Sequence, residues 1–154
     1  MKLYLVQHGK AMSKDENPQR PLADAGRVEL ERMAGFIRPL GLAVDAVWDS
    51  GKERASQSAA ILAGAFSVRG EQTSRGGLGA KDDVTAFGDE LAAAGRDVLV
   101  VGHQPFLGKL AAYLLTDSDA TEPVAFRNGG MVHLSDDREA KWQLEWAVTP
   151  DLLR

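Results

Sequence analysis

The 154-residue sequence contains no cysteine, which excludes disulfides, thiolate catalysis and cysteine-ligated zinc or iron–sulfur sites. Aromatic residues are few, at 6%, and no apolar run approaches the roughly 20 residues needed to cross a bilayer. A long basic run is also missing. The 18 Lys+Arg stand against 22 Asp+Glu, a net charge of -4, which argues against general nucleic-acid binding. The start is not that of a signal peptide, since Met1-Lys2-Leu3-Tyr4-Leu5-Val6 runs at once into the polar pair Gln7-His8. No repeat, low-complexity tract or domain linker interrupts the chain. What remains is 44% hydrophobic and 26% charged, the make-up of one globular domain over residues 1–154. At this length folding buries roughly two-thirds of the unfolded surface. A cytoplasmic, single-domain protein with no membrane segment is expected, with function carried by histidine, arginine, carboxylates and backbone.

Two kinds of segment alternate. Lys2–Val6 reads as a short strand ending at Gln7-His8-Gly9, and the proline-bearing stretch Ser13–Pro21 as a loop. From Asp24 to Leu40, Leu30, Met33, Ile37 and Leu40 keep helical spacing, and Pro39-Leu40-Gly41 closes the helix. Ala43–Trp48 reads as a second strand and Glu53–Ala65 as a helix, followed by a short strand in the Gly-rich stretch Val68–Gly77. A helix carrying Val84, Phe87 and Leu91 is capped by Asp82 or Asp83 and stopped by Gly95. Asp97–Val101 is the clearest buried strand, and a helix starts near Pro105. Gly130–Leu134 and Trp142–Val148 are strand-like. Strands alternating with helices imply a largely parallel sheet between two helical layers, with ligands bound beyond the carboxyl ends of the strands.

Two of those ends carry histidine. His8 follows the first strand and precedes Gly9, which can bring backbone close to a ligand; His103 lies in Gly102-His103-Gln104-Pro105, ahead of a helix N-terminus. Arg54 opens the helix after the second strand, and Arg20 lies in the loop after the first. Together these describe a phosphate pocket, in which neutral imidazole attacks phosphorus and guanidinium grips the oxygens. Each residue also has a plainer reading: a hydrogen-bonded turn histidine, or a solvated helix-start arginine. His133, mid-strand with no such neighbours, reads as structural. No helical His-x-x-x-His pair supports a metal site.

A family resemblance narrows these alternatives. Leu5-Val6-Gln7-His8-Gly9 resembles the first-strand signature of the histidine phosphatase superfamily, normally Arg-His-Gly. Arg20-Pro21-Leu22 with Gly26, and Ser50-Gly51-Lys52-Glu53-Arg54-Ala55-Ser56-Gln57-Ser58-Ala59, resemble its second and third blocks. Val100-Val101-Gly102-His103-Gln104-Pro105 resembles the block of its second histidine, and Trp146–Pro150 the end of its short, SixA-type members. The match is collinear over nearly the whole chain. The resemblance implies a three-layer α/β/α, phosphoglycerate-mutase-like fold and a phosphohistidine phosphatase working without cofactor or metal. His8 would be the transiently phosphorylated nucleophile, Arg54 the phosphoryl clamp, and His103 the stabiliser of the transferring charge. Gln7, Gly9 and Arg20 would line the phosphate site.

Gln7 departs from the family pattern, because an amide supplies two donors and no charge where arginine supplies a fork and a full charge. Lys10 either restores part of that charge or is an ordinary solvated side chain. Larger relatives insert a segment that caps the site and supplies an acid; here only the short stretch 64–81 is available. An open pocket is therefore expected, suited to a phosphorylated protein, with small phosphate esters as the alternative. Asp82 and Asp83 are the carboxylates available as general acid, or else helix caps. A phosphohistidine substrate needs little acid help, since imidazole leaves neutral. A catalytically weak phosphate-binding module is the competing reading. Nothing heptad-like calls for a dimer, so a monomer is expected.

Overall fold

The computed structural model describes residues 1–139 and 141–153. The main-sheet strands are β1 (Lys2–Gln7), β3 (Ala46–Asp49), β5 (Gln72–Ser74), β6 (Val98–Gly102), β7 (Met131–Asp136) and β8 (Trp142–Val148). Their spatial order is β5-β3-β6-β1-β7-β8. The first four run parallel, whereas β7 is antiparallel to both β1 and β8. The helices are α1 (Asp24–Ile37), α2 (Glu53–Ala63), α3 (Val84–Ala94) and α4 (Phe106–Thr116).

The sheet separates two cores because a strand's side chains alternate between its faces. On β1, Tyr4 and Val6 face α1 and α2, where they meet Leu30, Met33 and Leu62; Leu3 and Leu5 face α3 and α4, where they meet Phe87, Leu91 and Leu107. Strand β6 repeats the division, with Leu99 and Val101 on the first side and Val98 and Val100 on the second. Both faces are buried, which is why these central strands read as unbroken apolar runs. The expected three-layer α/β/α architecture is the one observed.

Two differences from the sequence reading have local causes. The stretch Ala43–Trp48 is not one strand. It breaks at Asp45 into β2 (Ala43–Val44), which pairs with β4 (Ser67–Val68) in a separate two-stranded sheet, and β3. Asp45 makes the break because its carboxylate accepts from Arg69 at 2.7 Å and from the Asp97 backbone N–H at 3.0 Å. The helix expected to run to Leu40 ends at Ile37 and continues as one 3₁₀ turn (Arg38–Leu40), with Gly41 in the left-handed region that stops it.

Candidate active site

The register of the two central strands creates the site. Gln7 of β1 pairs with Gly102 of β6, and one further ladder bond runs from His8 N–H to the Gly102 carbonyl at 3.0 Å. The next residue of each strand is therefore histidine, side by side: the rings of His8 and His103 have centroids 5.0 Å apart. On the other side of β6, β3 ends at Asp49, and the turn that follows leads into α2, which carries Arg54 in its first turn. No side chain caps α2 at its N-terminus, so its positive end is directed to the same edge.

His8 is held from several directions. Its Nδ1 lies 2.7 Å from the Gly9 carbonyl, which can only accept, so the proton of the neutral ring sits on Nδ1 and the lone pair on Nε2. Its own carbonyl accepts from Asn128 Nδ2 at 3.0 Å, and Gly129 N–H donates to the Gln7 carbonyl at 2.9 Å. A Cβ at Gly9 would stand 2.7 Å from Leu30 Cδ1 on α1, so a side chain there would require Leu30 to shift. Its N–H, expected beside an anion, instead donates to Ser58 Oγ at 3.0 Å, and Ser58 donates in turn to the Arg54 carbonyl at 2.6 Å. Gly9 thus ties the His8 loop to α2 through its N–H.

His103 is almost fully buried, and its Nε2 lies 2.6 Å from Ser50 Oγ. Ser50 belongs to a turn organised by Asp49, a fully buried carboxylate. Asp49 accepts from Gly51 N–H at 2.9 Å, Ser56 Oγ at 2.8 Å, Ser74 Oγ at 2.7 Å and Gln72 Nε2 at 2.9 Å. Burial pushes the Asp49 carboxyl up, but these donors outweigh it and hold the group ionised below its ordinary value.

Charge and burial keep both histidines neutral. Burial is the first cause lowering the His8 pKa, and the cations of Arg54 and Arg20 add to it against the opposing Gly9 carbonyl. His103 is lowered to about 4, by burial first and then by His8, Arg54, Lys52 and Arg20. A half-buried, neutral imidazole with its lone pair on Nε2, beside a second neutral imidazole and at least two guanidinium groups, is equipped to attack an electrophile carrying negative oxygens. Arg54 Nε and Gln7 Oε1 are buried without hydrogen-bond partners, so the site contains polar groups that its own chain leaves unsatisfied.

Arg20 is brought to the same place by an uncommon backbone conformation. Its φ is +47°, in the left-handed region, held by Arg20 N–H donating to the Asn17 carbonyl at 2.9 Å and Nε donating to the Met12 carbonyl at 3.2 Å. Lys10 pairs with Glu29 of α1 at 3.2 Å.

Of the two carboxylates expected as general acids, Asp83 caps α3 and Asp82 closes the turn before it. Asp83 Oδ1 accepts from the N–H groups of Thr85 and Ala86 at the start of α3, and Asp82 Oδ2 accepts from Gly79 N–H at 2.7 Å. Both line a hollow with Phe87 and Glu90 that shares no residue with the one holding Arg20 and Arg54. His133 is structural as read: it stacks on Tyr4 at 4.4 Å and meets the edge of Trp146 at 5.2 Å. Asp49, Ser50, Ser58 and Asn128 were missed as site residues. The contacts of the turn Asp49-Ser50-Gly51 with Ser74 and His103 join residues far apart in the sequence. Among the described residues, no group of three His, Asp or Glu side chains is placed to hold a metal ion, and no helix is long and apolar enough to cross a membrane.

No protein-family model matches the chain. An uncharacterized protein of Picosynechococcus sp. strain PCC 7002 is 34% identical over 118 residues, covering 72% of this chain and 71% of that protein. Among solved structures, the protein histidine phosphatase SixA complexed with tungstate superposes with a TM-score of 0.88 and 23% identity, over 100% of both chains. The SixA protein of Nakamurella multipartitia superposes with a TM-score of 0.74 and 26% identity, over 97% of this chain and 95% of that one.

Proposed function

We propose, from the premise that the chain belongs to the histidine phosphatase superfamily in its short SixA-like branch, that it removes phosphate from phosphohistidine in a phosphotransfer or signalling protein. The observation that carries the reading is the His8 ring: Nδ1–H donates to the Gly9 carbonyl, and the Nε2 lone pair stands free of protons beside Arg54 and His103.

The reaction has two displacements at phosphorus. His8 Nε2 attacks the phosphoryl group, the P–N bond to the substrate imidazole breaks, and that imidazole leaves neutral with its proton on the other nitrogen. A phosphoryl group is then carried on His8 Nε2. Water attacks it, the new P–N bond breaks, and inorganic phosphate departs with the water's oxygen while His8 returns to the neutral ring. Arg54 grips the equatorial oxygens, with its unpaired Nε among the donors, and a His103 N–H meets the charge that builds on them. Gln7 and Arg20 complete the phosphate contacts. A substrate with an imidazole leaving group suits a site whose expected general acids, Asp82 and Asp83, are engaged by backbone N–H groups in another hollow.

The test is phosphate release from a phosphohistidine-bearing protein by the wild type and by His8→Ala, with acid-labile phosphate on the enzyme trapped by rapid quench. Turnover and phosphoenzyme in the wild type, both absent in His8→Ala, are expected. Full activity in His8→Ala overturns the nucleophile. One observation favours a second reading, a phosphate-binding module: Gln7 withholds the charge that the family's arginine provides. That reading predicts phosphate binding with no phosphoenzyme.

A further inference from the structure

Arg20 and Arg54, whose charges act on His8, line a hollow of about 310 Å³ together with two more cations, Lys14 and Lys52, and one acid, Glu53. Glu53 is turned toward its own helix, where its Oε1 accepts from Gln57 Nε2 at 3.5 Å. Among the described residues, no ion pair holds any of the four cations. They also oppose one another, since Arg20 adds to the burial that lowers the Arg54 pKa. A net negative chain that gathers unpaired, mutually repelling cations next to its nucleophile has a field suited to more negative charge than one phosphoryl group carries.

We infer that this hollow binds a second anionic feature of the substrate, the carboxylates that surround the phosphorylated side chain on an acidic protein surface. The inference rests on the proposed phosphatase reading and names the kind of partner that site accepts. The layout favours protein carboxylates over the second phosphate of a small molecule. Lys14 and Lys52 are exposed and come from different segments, the loop before Arg20 and the N-cap of α2, so each offers a solvent-facing ammonium to a partner's surface. The volume is also at the small end of enclosed ligand sites, which span roughly 300–1,000 Å³. Arg54 and Arg20 meet the phosphoryl group, and Lys14 and Lys52 meet the acidic flank.

The experiment measures binding, so it does not depend on turnover. Fluorescent peptides carrying a non-hydrolysable phosphohistidine mimic, flanked either by glutamates or by glutamines, are titrated into the intact protein. The acidic peptide is expected to bind about three- to tenfold tighter, the effect of one or two exposed ion pairs. Lys14→Gln with Lys52→Gln should remove that preference while leaving the neutral peptide's affinity in place. Raising salt from about 0.1 M to about 1 M, which shortens the screening length from roughly 10 Å to roughly 3 Å, should remove it as well. Equal affinity for the two peptides overturns the inference, as does a small bisphosphate that displaces the acidic peptide more strongly than the neutral one. Turnover of phosphohistidine without any flank preference defeats this inference and leaves the phosphatase reading standing. Flank preference without turnover supports the docking surface and defeats the phosphatase reading.

Discussion

Ser50 Oγ and His103 Nε2 lie 2.6 Å apart, joining the turn after β3 to the end of β6 across the strand boundary. Lys52 N–H donates to the same hydroxyl oxygen at 3.4 Å, and the hydroxyl proton remains available for donation to the ring. With Ser50 as donor, the single proton of neutral His103 resides on Nδ1. In that arrangement the Nδ1 edge of the imidazole is the one that can donate to a phosphoryl oxygen.

Ser50→Ala is expected to lower kcat/KM about fivefold to tenfold, the worth of one hydrogen bond of roughly 1–1.5 kcal/mol. Ser50→Thr, which keeps the hydroxyl, should retain most activity. Nitrogen-15 shifts of labelled histidine supply a readout that loss of packing would not imitate. The wild type should show His103 protonated on Nδ1, and Ser50→Ala should show a shift toward Nε2. A wild-type His103 protonated on Nε2 would make Ser50 an acceptor and reverse the assignment.

Gln7→Arg should raise phosphate affinity or turnover by about ten- to a hundredfold, since a charge-assisted contact is worth roughly 1.5–3 kcal/mol. It should also move the acid limb of the pH profile. His8 reacts neutral, and its pKa already lies below the ordinary 6.5 because of burial, Arg54 and Arg20. Activity is then complete above about pH 6.5 and falls as pH drops through the depressed value. Another guanidinium beside the ring lowers that value further, so the fall should come at lower pH in Gln7→Arg. A profile of kcat/KM for both proteins decides the matter, and a limb that moves to higher pH contradicts the electrostatic account.

Much of this site was legible in advance, and the reason is geometric. Strands buried on both faces announce themselves as apolar runs, and a parallel register then sets His8 and His103 side by side once each follows its strand directly. The contacts that hold those rings were not legible. Asp49 meets Gln72 and Ser74 more than 20 residues away, and a short polar turn looks solvated until the β3–β5 pairing closes over it. Lys10 shows the converse: its neighbourhood to His8 in sequence suggested charge for the pocket, but the loop direction carries it to Glu29 on α1.

Stability should decline as pH falls below about 6.5. All three histidines have folded-state pKa values below the unfolded one, so the unfolded chain takes up protons first; the stabilisation is full above the unfolded pKa and is lost as pH falls through the folded one. For His103, lowered to about 4, the loss by pH 5 is about 2 kcal/mol. His133 adds to it, because both its ring nitrogens are buried without partners between Tyr4 and Trp146. His133→Phe keeps the stacking and removes the titration, so urea unfolding at pH 7 and pH 5 should give a smaller difference for the variant than for the wild type. An equal difference in the two proteins would remove His133 from the account.

Asp49 offers the sharpest separation of structure from charge. Its Oδ1 accepts from Gly51, Ser56 and Ser74, while Oδ2 accepts only from Gln72. Asp49→Asn keeps an oxygen for the first three donors and sets an amide against Gln72, a loss of one contact worth about 1 kcal/mol. Asp49→Ala leaves all four donors without their acceptor in a buried turn and should cost about 3 kcal/mol or more. The same ordering should appear at the active site, because the turn that Asp49 holds carries Ser50 to His103. Asp49→Asn should therefore keep most of the turnover and Asp49→Ala should lose it, with the His103 nitrogen shifts moving as they do in Ser50→Ala. Chemical unfolding and histidine nitrogen spectra of the two variants are the measurement. If Asn were as damaging as Ala, the carboxylate's charge and not its acceptor count would be what holds the turn.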